Sequence, residues 1–303
     1  MPRSMCQRVR IASLGIVFAL VLVSCGKDRI PPTGPTVEQP LGPPRSTGPL
    51  AFTSDRDGTD AIYVANADGS VVTRLTEGSS PAWSRDGRRI AFGRAHNVYI
   101  IDVDGSGLRF VTQGYLPAWS PDGSTLVFTD LAAHGIFTSD VDGSNRRKVF
   151  DDDGYGAFSP AWSPDGRRVA FTVGTYLSDD DLFGLWTVNP DGSGAQNLRP
   201  LFDVDFAAWS PDSSELAFVI HAGRGIGVAR ADGSGRRIVV SGGSLYHEVD
   251  WTSDGRLIFG RSSGSYDSMR IFVTDGGEER QLVPDVPSPT RANYRDWLPS
   301  WSR

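Results

Sequence analysis

Residues 162–171 read Trp162-Ser163-Pro164-Asp165-Gly166-Arg167-Arg168-Val169-Ala170-Phe171, a tight turn followed by an apolar strand. Pro presets the first torsion of the turn and Gly closes it. The Trp-Ser-Pro-Asp-Gly portion, or a near copy, recurs at Trp83, Trp119, Trp209 and Trp251, and a further copy at Trp301 is cut off by Arg303. Successive Trp residues lie 36, 43, 47, 42 and 50 positions apart, in or near the span of one four-stranded propeller blade. The fold class that follows is all-β: a six-bladed β-propeller of four-stranded blades over residues 50–303.

Working outward from the turn, each unit carries an apolar strand such as Arg89-Ile90-Ala91-Phe92. A second strand places an aromatic at a fixed position: Tyr63, Tyr99, Phe137, Trp186 and Phe272, with Gly227 as the exception. An Asp-Gly turn follows at Asp68, Asp104, Asp142, Asp191, Asp232 and Asp275. Asp-Gly between alternating strands is a strong hairpin signal, and its usual geometry puts both central residues at positive φ. No amphipathic helical stretch occurs in this region. The array opens at Leu50-Ala51-Phe52, the second strand of a unit, and ends at Pro299-Ser300-Trp301-Ser302, a first strand. The C-terminal strand is therefore expected to complete the first blade, leaving only short, protected edges. The recurrent Trp83, Trp119, Trp162, Trp209, Trp251 and Trp301 are assigned to packing between blades.

The repeated turn, the Ile-Ala-Phe strands and the Ile-Tyr-x-x-Asn/Asp segments before each Asp-Gly resemble the TolB-type propeller, a WD-repeat-like family. The resemblance covers about residues 50–303. It implies a periplasmic scaffold that docks a partner, in that family a peptidoglycan-associated lipoprotein, at the mouth of the propeller's tunnel. The same propeller also occurs in other binding proteins and as the lid of prolyl-oligopeptidase-type hydrolases. The chain departs from the pattern in carrying a Pro-rich segment where TolB has an α/β domain. Single copies depart mildly: Arg85 replaces Pro, Ser213 replaces Gly, and Thr252-Ser253 replaces Ser-Pro.

The N-terminus specifies export. Arg3, Arg8 and Arg10 precede an apolar and small-residue run, Ile11 to Val23, of 13 residues. A bilayer core needs roughly 20, so the run has the length of a cleaved signal. Leu22-Val23-Ser24-Cys25 looks like a lipobox, which makes residues 1–24 a lipoprotein signal peptide and Cys25 the lipidated residue. Residues 25–49 hold seven prolines and read as a semi-rigid tether of up to ~3.1 Å per residue. Removing residues 1–24, with three Arg and no acid, takes the formal charge from −6 to −9. That acidity excludes nucleic acid as a partner and leaves acyl chains as the membrane attachment.

Function is expected on the face of the disc whose connections vary, because the Pro-Asp-Gly and Asp-Gly turns share the opposite face. Segments just before the first strands, Tyr115-Leu116, Tyr155 to Ser159, Asp203 to Phe206, Tyr246 to Asp250 and Arg295 to Trp297, are expected to ring the channel, with Tyr115, Tyr155, Phe158, Asp205, Phe206, His247, Glu248, Asp250, Arg295, Asp296 and Trp297 as the binding residues. Tyr and Trp anchors dominate binding hot spots, and loops on a rigid frame carry function. The function that follows is a non-catalytic, lipid-anchored envelope propeller that binds a protein or other macromolecule. The alternative is a carbohydrate-active enzyme or glycan-binding protein, in which two of Asp205, Glu248, Asp250 and Asp296 serve as acid and base.

Other motifs carry less. Gly260-Arg261-Ser262-Ser263-Gly264 matches a nucleophile elbow but lies in a β-context rather than a strand-to-helix turn. His247-Glu248 lacks the second His of a zinc helix. His96, His134, His221 and His247 come from four blades, which argues against a shared metal. Asp55 to Asp60 and Asp151 to Gly154 resemble calcium loops without the closing Glu. Asp179 to Asp181 reads as a solvated acidic loop. No catalytic residue, metal or cofactor is assigned, calcium or another metal being the alternative, and a monomer is expected.

Overall fold

The computed structural model describes residues 49–301, apart from 67–68, 70, 154–155, 175–183, 203, 221–224, 242–244, 263–268, 278 and 283–295. For 199–202, 245, 247, 262, 269 and 296–301 it describes the backbone alone. The described residues are all-β and form six four-stranded antiparallel sheets set around a ring.

Blade 1 contains β1 (Leu50–Ser54), β2 (Ala61–Ala65) and β3 (Val72–Glu77). Blade 2 contains β4 (Ser79–Trp83), β5 (Arg89–Arg94), β6 (Asn97–Asp102) and β7 (Arg109–Gln113). Blade 3 has β8 (Tyr115–Trp119), β9 (Thr125–Asp130), β10 (Gly135–Asp140) and β11 (Arg147–Asp151). Blade 4 has β12 (Ala157–Trp162), β13 (Val169–Val173), β14 (Gly184–Val188) and β15 (Gln196–Phe202). Blade 5 has β16 (Val204–Trp209), β17 (Glu215–Ile220), β18 (Gly225–Arg230) and β19 (Arg237–Ser241). Blade 6 has β20 (Leu245–Trp251), β21 (Leu257–Ser262), β22 (Met269–Thr274) and β23 (Glu279–Gln281). The last strand, β24 (Asp296–Trp301), returns to blade 1 and pairs with β1, Leu50 opposite Trp301 and Ser54 opposite Asp296. The ring is closed by strands from both ends of the array, as the repeat register requires.

The core lies in the seams between blades rather than at one centre. A phenylalanine on the second strand of every blade is fully buried: Phe52, Phe92, Phe128, Phe171, Phe218 and Phe259. The repeat tryptophans fill the seams from the inner strands. Nε1–H of Trp119 donates to Ala82 O of the preceding blade at 3.0 Å, Trp209 to Ala161 O at 3.2 Å and Trp251 to Ala208 O at 3.2 Å. Trp83 packs with Ala51 and Ile62 of blade 1, and Trp162 against Val127 and Ile136 of blade 3.

The Asp-Gly turns correct one expectation. Gly105, Gly143, Gly192 and Gly233 take φ between 85° and 89°, but their preceding Asp residues are absent from the positive-φ positions. Each Asp instead bends its carboxylate over the turn. Asp104, Asp142 and Asp191 Oδ1 accept the N–H two residues on at 2.9 Å, and Asp232 does so at 2.8 Å. This Asx arrangement satisfies a turn donor without the double left-handed backbone.

Gly227, the exception in the aromatic column, is explained by its neighbour. A Cβ placed there would sit 2.4 Å from Phe218 Cε2, because the Phe218 ring occupies the place of the missing aromatic.

Candidate functional site

The inner strands do not run as regular ladders. Their pairing with the second strand slips between Ser79 and Ala82, Tyr115 and Ala118, Phe158 and Ala161, Asp205 and Ala207, and Tyr246 and Val249. At each slip an extra residue leaves the ladder, the hallmark of a β-bulge. In four blades that residue, three positions before the repeat Trp, is left-handed: Ser80 at φ 57°, Leu116 at 50°, Ser159 at 52° and Phe206 at 42°. Such a backbone is uncommon for any residue but Gly and costs most for bulky ones.

The bulges re-aim side chains toward the centre. A channel of about 470 Å³ runs along the axis, within the size range of small-molecule and peptide side-chain sites. At the end near the variable connections it is lined by Ser80, Leu116, Ser159, Phe206 and Glu248. Its middle is apolar, with Pro81, Pro117, Pro160, Ala207 and Val249, then Ala82, Ala118, Ala161 and Ala208. Its other end meets Arg85, Pro121, Pro164, Pro211 and Ser253 in the repeat turns.

Blade 6 places acidic residues in the stretches that the other described blades leave uncharged. It sets Glu248, 5 % exposed, where the other described blades have Ser, Leu or Phe, and Asp250 where they have Ala. The Asp250 carboxylate accepts the Trp251 N–H at 2.8 Å, which fixes its orientation. Two acidic residues thus line one wall of the channel, with the carboxylate oxygens of Glu248 themselves buried.

Of the residues singled out from sequence, Phe206, Glu248 and Asp250 line the channel. Tyr115, Phe158 and Asp205 do not. They stand one position earlier, and the bulge turns the next residue inward while leaving them off the axis. Tyr115 points outward to blade 2, where its hydroxyl shares a hydrogen bond with His96 Nδ1 and the two rings meet edge-on at 5.1 Å. Burial, and then the charge of Asp130, push the Tyr115 hydroxyl above its ordinary range. Tyr155 and Arg295 lie outside the described residues, as do the side chains of His247, Asp296, Trp297 and Trp301. Sequence reasoning passed over Ser80, while Leu116 and Ser159 fell within the segments expected to ring the channel. The signal that finds them is their constant distance from the repeat Trp.

The remaining candidates resolve into local structure. Asp57 accepts the Tyr63 hydroxyl and faces Arg74 at 3.8 Å. Asp151 pairs with Lys148 at 2.8 Å, and buried Asp152 caps the Ala157 N–H at 3.0 Å. His134 lies 3.8 Å from Asp152. Among the described residues no group of three His, Cys, Asp or Glu is placed to hold a metal. Gly260 and Arg261 belong to β21, and the next element among the described residues is the strand β22.

A family model for the TolB beta propeller domain matches residues 93–290. Among solved structures, TolB from Acinetobacter baumannii superposes with a TM-score of 0.68 at 17% identity, over 84% of this chain and 66% of that one. The chain thus spans just under two thirds of that TolB. A nidogen/laminin complex gives a TM-score of 0.67 at 14% identity, over 84% of this chain and 98% of the other. An oligogalacturonate lyase in complex with manganese gives 0.55 at 18% identity, over 77% and 73%. At these identities the likeness is one of fold. No curated protein sequence matches the chain.

Proposed function

From the premise that the chain belongs to the TolB β-propeller domain family, we propose that it is a non-catalytic scaffold of the bacterial cell envelope. It is held to a membrane by lipid on Cys25, carried on the tether 25–49 after loss of residues 1–24, and binds a macromolecular partner at the channel mouth. It works as a monomer, without cofactor or nucleic acid.

One observation carries this reading. Five described inner strands share a bulge that delivers one side chain each to the channel mouth, while the residues delivered differ: Ser80, Leu116, Ser159, Phe206 and Glu248. A repeated frame with unrepeated chemistry suits recognition, and bulges are over-represented where a strand re-aims a side chain next to a site. Backbone strain at Leu116 and Phe206 persists only where surrounding structure over-determines it, and it clusters at ligand clamps.

A photocrosslinker placed in cells at Phe206, and separately at Tyr115, tests the reading. One discrete adduct from position 206, reduced in Glu248→Gln, is the expected result. Adducts spread evenly over many proteins would count against a dedicated site.

The two acidic residues of blade 6 favour a second reading, action on a glycan, and a lyase shares the fold at a TM-score of 0.55. Turnover of oligosaccharide substrates, abolished in Glu248→Gln and Asp250→Asn, would select it over the scaffold.

A further inference from the structure

Four of the six exposed large hydrophobics among the described residues gather at one seam. Val71 is 60 % exposed, Val103 39 %, Leu108 46 % and Phe110 54 %. Tyr99 packs with blade 1 residues, and Phe110 meets its ring edge-on at 5.9 Å. By strand alternation Val103 and Leu108 share that side of blade 2. Val64 and Leu75 of blade 1 join the same cluster, Thr73 pairs opposite Val64, and Val71 lies two residues before it. The rim between blades 1 and 2 is therefore an apolar strip with an aromatic wall on blade 2 and an aliphatic one on blade 1.

Two other seams, between blades 2 and 3 and between blades 3 and 4, are clasped. In blades 2 and 3 the outer strand carries an arginine that reaches the next blade's turn. Arg109 Nη1 donates to Val141 O, and Arg147 Nη2 to Pro190 O at 2.6 Å. The register places Thr73 at the same position of blade 1, opposite Val64 as Arg109 lies opposite Ile100. A threonine is too short to span the seam. The position occupied by Phe110 is polar in four other blades, as Arg74, Lys148, Asn197 and Gln281, and Ile238 takes it in blade 5.

We propose that this strip seats the chain's own proline-rich segment, residues 31–44. The proposal is independent of the channel reading. Proline-rich segments dock on aromatic-lined grooves because their extended helix is preformed. Residues 31–44 hold six prolines and a single charge, Glu38, and Arg94 lies over Tyr99 at 4.4 Å on the strip's edge to meet it. Reach is sufficient. Pro49, which leads directly into β1, lies five positions after Pro44, and those steps span ~15 Å at ~3.1 Å each. The distance from β1 to β3 is two strand spacings, about 10 Å. Tethering gives an effective concentration in the millimolar range, so even weak contacts cover the strip. Docking would shorten the free tether and orient the disc relative to Cys25.

The test uses the full mature chain with p-benzoylphenylalanine at Phe110, and a control with the probe at Lys148. Irradiation of the monomer should give an intrachain crosslink to residues 31–44, independent of protein concentration and several-fold stronger than from position 148. Pro40→Gly, Pro43→Gly and Pro44→Gly together should weaken it while leaving the thermal midpoint unchanged. An interchain product that grows with concentration would assign the strip to a second copy instead. Absence of any crosslink to 31–44 would equally overturn the proposal.

Discussion

In the repeat turns, a hydroxyl and a carboxylate two residues apart hold each other. Ser84, Ser120, Ser163 and Ser210 donate to Asp86, Asp122, Asp165 and Asp212 at 2.6 Å. These bonds favour the ionised carboxylate, so all four titrate below the ordinary value. Asp212 is lowered from 3.8 to about 2, first by the Ser210 hydroxyl and then by the backbone N–H and hydroxyl of Ser214. A depressed folded-state value contributes stability above the unfolded value and loses it as pH falls through the folded one. The urea midpoint should therefore fall as pH drops from about 4 toward 2, with a shallower decline in Asp212→Asn. An equal slope in the variant would refute the assignment. Trp119 makes a second prediction: it is 7 % exposed and bonds across the seam, so Trp119→Ala should cost about 3–5 kcal/mol in denaturant unfolding. The turn residues and the Trp were legible in the sequence because their chemistry is local. The torsions of Asp104 and its counterparts were not, because a side-chain hydrogen bond replaced the backbone geometry expected of the dipeptide.

At the scale of the strand, the aromatic column shows where the repeat misleads. Restoring the pattern with Gly227→Phe looks like a repair from the sequence. Phe218, fully buried, already fills that volume. The substitution should destabilise by about 1–3 kcal/mol through overpacking, read as a lower denaturant midpoint with unchanged slope. A gain in stability would show that the seam around Phe218 has spare room. The bulges are the other strand-scale feature. An uninterrupted strand alternates its faces with period two, and one inserted residue shifts everything before it to the opposite face. That is why Tyr115, Phe158 and Asp205 miss the channel and Leu116, Ser159 and Phe206 reach it.

For the whole molecule, stability rests on closure. Each seam is a small core of its own, and the first blade is complete only when β24 lies beside β1. Ending the chain before Asp296 removes that strand and opens an unpaired edge on β1. The truncated protein should unfold over a broader transition and bind a hydrophobic dye before the intact chain does. A sharp, unshifted transition would mean that blade 1 is dispensable. The sequence by itself determined the number of blades, their order and the latch, because each repeat encodes its own turns and the array starts and stops out of phase. Only the tertiary structure decided which residues face the axis and which seam leaves apolar side chains exposed. Both depend on a bulge, or on which side chain an outer strand turns toward the next blade, whose effect exists only once neighbouring strands and blades are in place.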